Sequence, residues 1–226
     1  MKTTKRIFKD KVYAELAKTT KAMGNPHRME IIDLLAQGPF TVETIANYTG
    51  MTIANASQHL QVLKSARLVE ITRKGNFIHY HLAGQQVFAA WRSLRELGME
   101  HNAEAEKLIR DFRNGHHDIE AVSAEELLSK INSEEIVLLD VRPEHEYNRG
   151  HIHRALCIPI AELEKRIGEL SKSKHIIAYC RGPLCVYADE AVELLTRNGY
   201  KASRMDEGYP DWKMKGFPVE VSQEPA

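Results

Sequence analysis

Two cysteines, Cys180 and Cys185, bracket the stretch of the sequence with the most evident chemistry. An apolar, β-prone run over residues 175–179 ends at Cys180, and helical apolar spacing begins at Val186. A loop between a strand and a helix points backbone N–H groups and the positive end of the helix dipole toward its centre. This setting favours an anion and predicts Cys180 as a thiolate nucleophile. The alternative is a buried, unreactive cysteine at a strand end.

The spacing of this loop argues against phosphate chemistry. A cysteine-dependent phosphatase needs a seven-residue loop that closes on an arginine, which grips phosphate through paired hydrogen bonds. Val186 occupies that closing position. The loop is closed instead by a second thiol, Cys185, which is able to attack Cys180 and give a disulfide or a sulfur-bridged pair.

The loop resembles the active-site loop of rhodaneses, in which the first cysteine of a six-residue loop carries a persulfide. Two flanking stretches resemble the signatures of that family, and the resemblance covers about residues 118–221. The stretches are residues 138–142 with Glu146, 150–152 and Ala155, and residues 208–212 with 216–219.

The rhodanese resemblance implies a covalent persulfide on Cys180 and no other cofactor. The loop N–H groups would stabilise the anion, and Arg181 would add positive charge. The candidate catalytic residues are Cys180, Arg181, Gly182, Leu184, Cys185, Asp140 and Arg142.

The loop departs from the rhodanese pattern at two positions. Glycine usually stands fourth, whereas here Gly182 is third and Pro183 is fourth. Proline has no N–H to donate, so the anion cradle lacks one donor at this point. The sixth position, usually small and polar, is Cys185. Both changes favour a loop that traps sulfur over one that passes it on.

A helix predicted over residues 53–66 has an unusual polar face. Ala54, Leu60 and Leu63 are spaced to face a core, while the remaining side chains are mostly polar and uncharged. Amides and hydroxyls of this size suit the edges of bases in DNA. The candidate DNA-binding residues on or beside this helix are Thr52, Asn55, Ser57, Gln58, His59, Gln61 and Lys64.

The surrounding pattern predicts a winged helix-turn-helix. Helices are expected over residues 5–23, 27–37 and 42–48. Strands are expected over residues 68–72 and 77–82, joined by a basic turn that includes Arg73 and Lys74 and is placed to contact phosphates. A generic helical domain with a surface hairpin is the alternative.

Residues 24–28, 46–50, 57–64 and 66–69 resemble ArsR-type repressors, and the resemblance covers about residues 5–98. It implies a homodimer formed through the first and last helices, with one recognition helix in each half-site of a double-stranded DNA operator. Ser57, Gln58 and His59 would face bases, and Lys64, Arg73 and Lys74 would meet phosphates.

We expect no metal site, although many ArsR-type proteins sense metals. The helix that carries the thiolate site in relatives has no cysteine here, over residues 41–46. His101 and Glu104 are one helical turn apart, as in a second site of such proteins, but the matching upstream pair is absent. His79 and His81 on one strand, and His116 and His117 in a predicted linker, are more simply interpreted as solvated.

The second half of the chain alternates helical and strand-like segments, which predicts an α/β domain with a mainly parallel sheet. Before it, residues 85–113 predict a helix interrupted at Gly98 that serves as core or dimer interface. The predicted organisation is a DNA-binding and dimerisation domain at 1–113, a linker at 114–117 and a rhodanese-like domain at 118–226. Cys157 falls on a predicted strand and is interpreted as structural.

Charge and composition agree with two domains of different function. The chain has 226 residues, of which 43% are hydrophobic and 27% are charged. Residues 1–100 carry 14 basic and 8 acidic side chains, whereas residues 101–226 carry 17 and 23. The net charges of +6 and −6 follow from these counts, and a basic half favours a nucleic-acid partner.

Location and redox state follow from other features. The absence of a secretory signal and the three cysteines predict a cytoplasmic protein with reduced thiols. No apolar run approaches the roughly 20 residues that cross a bilayer, so no membrane partner is expected.

Together these features predict a DNA-binding repressor whose second domain senses a small sulfur donor, namely a persulfide, a polysulfide or thiosulfate. Two alternatives stay open. One is a sulfurtransferase tethered to DNA, and the other is a constitutive DNA-binding protein whose rhodanese-like fold only mediates contacts.

Overall fold

A computed structural model describes residues 3–114 and 119–222. The chain forms two compact units, Met1–Arg95 and Glu96–Ala226. The predicted linker lies largely outside the described residues, and the predicted domain limits stay a prediction. Within the described residues, no helix is long and apolar enough to cross a membrane.

The first unit is a small helical domain with a three-stranded sheet. Asparagine or threonine side chains cap its second, third and fourth helices: the Oγ1 of Thr52, for example, accepts a hydrogen bond from the backbone N–H of Asn55 at 3.2 Å. Its elements are α1 (Thr4–Met23), α2 (Pro26–Leu35), β1 (Phe40–Thr41), α3 (Val42–Thr49), α4 (Ile53–Ser65), β2 (Val69–Lys74) and β3 (Phe77–Leu82), followed by α5 (Gln85–His101).

The sheet is antiparallel with the order β1-β3-β2, and β2 and β3 form the wing. Buried aliphatic side chains from α2, α3 and α4 form the core that holds the helices together, including Ile31, Ile32, Ile45, Leu60 and Leu63. The predicted helix-turn-helix and wing are therefore confirmed.

Two local predictions in this part of the chain were wrong. Ala54 is exposed, and Ala56 is the alanine of α4 that packs in the core. The helical run does not break at Gly98, which lies inside α5 with free space where a side chain would stand. It breaks at Asn102, whose side-chain oxygen accepts from the backbone N–H groups of Glu104 and Ala105 and so begins a new helix.

The second unit is an α/β domain. Its central sheet has five parallel strands in the order β4-β9-β8-β5-β7, and β6 and β10 form a separate antiparallel pair. Its elements are α6 (Ala103–Asn114), β4 (Ala121–Val122), α7 (Ala124–Lys130), β5 (Ile136–Asp140), α8 (Glu144–Arg149), β6 (His151–Ile152), β7 (Leu156–Cys157), α9 (Ile160–Arg166), β8 (His175–Tyr179), α10 (Tyr187–Arg197), β9 (Ala202–Met205), α11 (Tyr209–Met214) and β10 (Val219–Glu220).

Alternate residues of the central strands pack on opposite faces of this sheet. Leu139 and Ala178 belong to a cluster with α9 and α10, whereas Leu138 and Tyr179 belong to a cluster with α7 and α11. A sheet covered on both faces explains the nearly continuous apolar runs of β5 and β8. The carboxyl end of β8 is Tyr179, so the loop that starts at Cys180 leaves the edge where α/β folds place their sites.

Candidate functional site

The loop between β8 and α10 is closed by a disulfide between Cys180 and Cys185, whose Cα atoms are 6.4 Å apart. The sequence alone did not decide whether this disulfide forms. The two sulfur-bearing residues differ in accessibility, because Cys180 is only 2% exposed whereas Cys185 is half-buried. The predicted thiolate at Cys180 therefore belongs to the reduced state, and this structure represents the oxidised one.

The backbone of the loop is fixed at both ends. The N–H of Cys185 donates to the carbonyl of Gly182 at 3.0 Å, which folds the loop back on itself. The N–H of Tyr209 donates to the carbonyl of Cys180 at 3.1 Å and ties the loop to the start of α11. Gly208 lies against the loop so closely that a Cβ atom there would come within 2.3 Å of the N of Gly182.

Arg181, which the resemblance assigns to adding positive charge at the loop, forms an ion pair with Glu146. Its guanidinium donates to both carboxylate oxygens of Glu146, with the Nε hydrogen bond at 3.0 Å. Glu146 is fully buried and Arg181 nearly so, and the ion pair connects the loop to α8. Glu146 belongs to the first of the two stretches that resemble the rhodanese signatures, but only the fold showed that it pairs with Arg181.

Asp140 and Arg142 form a buried pair that supports the loop rather than lining it. Both side chains are fully buried, and the Nη2 of Arg142 donates to Asp140 at 2.6 Å and to the carbonyl of Gly150 at 2.8 Å. The guanidinium also lies over the ring of Tyr209, 4.4 Å from its centroid. Both residues are therefore placed to support the loop through Tyr209, and their part in catalysis stays a prediction.

The outer side of the loop meets α6, which belongs to the same unit. The Nη2 of Arg113 donates to the carbonyl of Pro183 at 2.8 Å, and the Arg113 guanidinium lies 3.7 Å from a carboxylate oxygen of Asp189. Leu184 is 48% exposed, and its side chain lies at the surface beside α6, where it lines a pocket. Sequence analysis missed Arg113, because nothing in the local pattern of α6 indicates what it contacts.

Cys157 is chemically separate from the pair. It is a free, half-buried thiol on β7, which is parallel to β5 with Cys157 paired to Asp140. Burial, reinforced by the Asp140 carboxylate, raises its pKa to about 12. At neutral pH it is therefore a protonated thiol, which agrees with the structural role predicted for it.

The first unit presents the predicted DNA-contacting residues around α4. Gln58 and Gln61 are exposed, and Ser57 is half-buried on the same side of the helix, opposite the core residues Leu60 and Leu63. The remaining candidates flank this face: Thr52 at the N-cap, Asn55 in the first turn and Lys64 in the last turn.

His59 differs from the other α4 candidates. Its ring lies 5.3 Å from that of His27 on α2, at an angle of 44°, so it packs against its own domain. Burial, with the nearby His27 and Arg28, lowers the pKa of His59, which keeps the imidazole neutral at neutral pH. A neutral ring at this edge has one donor and one acceptor, but no charge for phosphate.

Arg73 and Lys74 lie at the end of β2, opposite Ile78 and Phe77 of β3. Both are exposed, and Gly75 in the turn between the strands has a φ of 58°, which glycine adopts without strain. The structure thus places two exposed basic residues at the tip of the wing, one on each face of β2. Within the described residues, no group of three His, Cys, Asp or Glu side chains is arranged to hold a metal ion.

The first unit is a winged helix-turn-helix with a polar recognition helix and a basic wing, and the second contains a rhodanese-type cysteine loop. Together they define the class of protein: a DNA-binding transcriptional regulator with a rhodanese-like domain. Comparison with known families agrees with this. Residues 23–72 match the helix-turn-helix domain family, and residues 123–215 match the rhodanese-like domain family.

The chain belongs to the family of HTH-type transcriptional regulators. It is 41% identical over 206 residues to the HTH-type transcriptional regulator Rv0324 of Mycobacterium tuberculosis, a match that covers 91% of this chain and 90% of that protein. It is 29% identical to the putative sulfur carrier protein YrkF of Bacillus subtilis, over 73% of this chain and 90% of that one. It is 40% identical over 62 residues to the transcriptional repressor SdpR of Bacillus subtilis, over 27% of this chain and 69% of that one.

Proposed function

We propose that this regulator is a cytoplasmic homodimeric repressor whose affinity for its operator depends on the sulfur chemistry of Cys180 and Cys185. The observation that carries the proposal is the Cys180–Cys185 bond itself. Two thiols that can form a disulfide within the folded domain give it an oxidised and a reduced state, which is a chemical switch. The other unit of the same chain is a helix-turn-helix domain.

The reaction proposed for the reduced protein uses both cysteines. The Cys180 thiolate attacks the outer sulfur of a hydropersulfide R–S–SH, the S–S bond breaks, and R–S⁻ leaves to give a persulfide on Cys180. The Cys185 thiolate then attacks Sγ of Cys180, the intramolecular disulfide forms, and HS⁻ leaves. Two thiols are oxidised, and the sulfane sulfur is reduced to sulfide, so no other oxidant is needed.

The loop geometry supports this division of roles. Cys180 stands at the carboxyl end of β8 and close to the N-terminal end of α10, where a thiolate is favoured. Pro183 removes one N–H donor from the cradle, and Cys185 lies within bonding distance. A persulfide on Cys180 is therefore resolved within the chain faster than it reaches an external acceptor.

Dimerisation and repression rest on the first unit. Phe8, Val12 and Leu16 follow one another at four-residue intervals on α1 and are 66%, 39% and 59% exposed. An apolar stripe of this kind on a long helix favours pairing with a second copy. The sign of regulation follows the relative SdpR, which is named a transcriptional repressor.

The decisive experiment measures affinity for operator fragments from the region upstream of the protein's own gene, at fixed salt because phosphate contacts make affinity salt-dependent. Reduced protein is compared with protein treated with a hydropersulfide donor. We expect a loss of affinity of about tenfold or more on treatment, as for an ordinary allosteric coupling. The loss should vanish in Cys180→Ser and in Cys185→Ser and persist in Cys157→Ser. Unchanged affinity despite a verified Cys180–Cys185 bond would contradict the proposal.

A second function, sulfur transfer, is favoured by the rhodanese-like domain and by the similarity to a putative sulfur carrier protein. The variant Cys185→Ser separates the two. A transferase would keep turning over thiosulfate with that substitution, because only Cys180 carries the sulfur, whereas a two-cysteine switch would lose its response.

A further inference from the structure

An apolar pocket borders the accessible sulfur of the cysteine pair. It lies between α6 and the loop that precedes α10, both of the second unit, and has a volume of about 190 Å³. It is an open surface pocket, in which Leu108, Phe112 and Leu184 are 64%, 46% and 48% exposed, and its volume exceeds the roughly 150 Å³ of an enclosed apolar cavity that holds a benzene ring. Its walls are Leu108, Ile109 and Phe112 on one side and Leu184, Cys185 and Val186 on the other.

The charged residues at this pocket neutralise each other. Arg113 and Arg204 share the Asp189 carboxylate, at 3.7 and 3.3 Å, and Arg204 also pairs with Asp206 at 2.9 Å, so these two cations face two carboxylates. Arg113 also donates to the carbonyl of Pro183. Arg181, the other cation of the loop, pairs with Glu146. An anionic substituent on a ligand therefore has no uncompensated cation to bind among these residues, whereas an apolar substituent has several side chains against which to bury.

The two sulfurs are not equally open to attack. Cys185 lines the pocket, while Cys180 is 2% exposed and is not part of its walls. A nucleophile that occupies the pocket therefore meets Cys185 first. Cys180 is also the better leaving group, because the thiolate with the lower pKa leaves faster and the strand-to-helix loop favours a thiolate there.

We propose that this pocket binds the substituent of an organic thiol with an apolar or aromatic group, and that this thiol opens the disulfide by attacking Cys185. In the step R–S⁻ attacks Sγ of Cys185, the bond between Cys185 and R–S forms, and the bond between Cys180 and Cys185 breaks. The electron pair leaves on Sγ of Cys180, which becomes the thiolate. The incoming thiol is oxidised to one half of a mixed disulfide, and Cys180 is reduced. This inference rests on the proposed function, because it identifies the class of thiol that resets the switch.

The site of attack is read by mass spectrometry on the oxidised full-length protein. Benzyl mercaptan is added briefly, and free thiols are trapped with N-ethylmaleimide. Trypsin cleaves after Arg181 and so places the two cysteines in different peptides. We expect the benzylthio group on the Cys185 peptide and the maleimide on the Cys180 peptide. The reverse pattern would overturn the proposal.

The preference for an apolar group is measured as a ratio of rates. The rate at which benzyl mercaptan opens the Cys180–Cys185 disulfide is divided by the rate at which 2-mercaptoethanol, a polar thiol of similar acidity, opens it. The same ratio, measured for the disulfide of oxidised glutathione, is the reference. We expect the protein's ratio to exceed the reference by about tenfold, because burial of the ring in the pocket favours attack. Equal ratios would overturn the proposal.

Matched variants on α6 test the pocket itself. Leu108→Gln places an amide in its wall and should reduce the ratio toward the reference, whereas Lys107→Gln alters the exposed neighbouring position, which does not line the pocket, and should not. A ratio unaffected by Leu108→Gln would overturn the proposal. All these measurements are made without DNA, so their failure leaves the operator experiment intact. Loss of the operator response with a retained thiol preference would instead reject the proposed function alone.

Discussion

Gly208 lies directly against the backbone of Arg181: a Cβ atom at Gly208 would be 2.2 Å from both the carbonyl carbon and the carbonyl oxygen of Arg181. Gly208 has a φ of −118°, which any residue can adopt, so the requirement for glycine here is one of space and not of backbone conformation. The contact fixes the cysteine loop against the start of α11, next to the hydrogen bond from Tyr209 to the carbonyl of Cys180.

We expect Gly208→Ala to displace the loop and destabilise the second unit. Overpacking of this kind typically costs about 1–3 kcal/mol, which lowers the Tm of a domain of this size by about 5 °C or more. Differential scanning calorimetry measures the shift. Gly168→Ala is the matched control, because its added Cβ meets nothing within 4 Å. Equal Tm values for the two variants would show that the loop yields without cost.

The ion pair between Arg181 and Glu146 predicts strong coupling between two substitutions. Removal of one partner leaves the other charge buried, which typically costs about 3–5 kcal/mol in the free energy of unfolding. Replacement of both partners by apolar residues removes that penalty. The double variant Arg181→Met/Glu146→Leu should therefore be more stable than either single variant in urea unfolding. Additive losses would mean that the two side chains do not interact in solution.

The basic tip of the wing predicts a change in salt dependence. Each phosphate contact contributes about 0.9 to the slope of log K against log salt, so Arg73→Ala/Lys74→Ala should reduce the slope by about 3.6 for the four side chains of a dimer. Fluorescence anisotropy over a range of salt measures this slope. Gln58→Ala should instead weaken operator binding and leave the slope unchanged, because a base contact carries no counterion release. An unchanged slope in the wing variant would place the tip away from DNA.

The apolar stripe of α1 predicts a dimer that depends on Phe8. Burying a phenylalanine contributes about 1.5–3 kcal/mol and each of two copies supplies one, so Phe8→Ser should weaken dimerisation about a hundredfold or more. Sedimentation velocity over a dilution series measures the dissociation constant. Lys21→Ser, an exposed position on the opposite side of the same helix, is the control and should have no effect. A Phe8→Ser protein that dimerises normally would show that the stripe has another role.

The raised pKa of Cys157 predicts both its reactivity and a pH effect. With the pKa moved from 9.0 to about 12, the native thiolate population at neutral pH is about a thousandfold smaller than for an ordinary thiol. Iodoacetamide should therefore spare Cys157 in native protein and label it in urea. Above pH 9 the unfolded chain loses the proton that the native one keeps, so stability should fall as the pH rises from 9 toward 12. Cys157→Ser should show a smaller fall, and rapid native labelling would contradict the assignment.

Much of the architecture could be predicted because local signals repeat along the chain. Threonine caps and apolar spacing predicted α3 and α4. The β-prone run before Cys180 predicted β8 with the limits that the structure has. The elements that were missed are short: α8 and α11 have six residues each, and β1, β4, β6 and β10 have two each. Segments of this length have no periodicity, and tertiary contacts decide their conformation.

The sequence by itself determined the chemistry of this protein: which side chains can act as nucleophiles, which can read bases, and that the two abilities lie in different halves of the chain. Residue type and spacing suffice for this, because the functional group of a side chain is fixed by the residue type, whereas its pKa and accessibility depend on its surroundings. Only the tertiary structure decided the partners. Cys180 is bonded to Cys185, and Arg181 forms an ion pair with Glu146. Asp140 and Arg142 form a buried pair, and α6 lies beside Cys185. These are contacts between elements, and no local pattern specifies them.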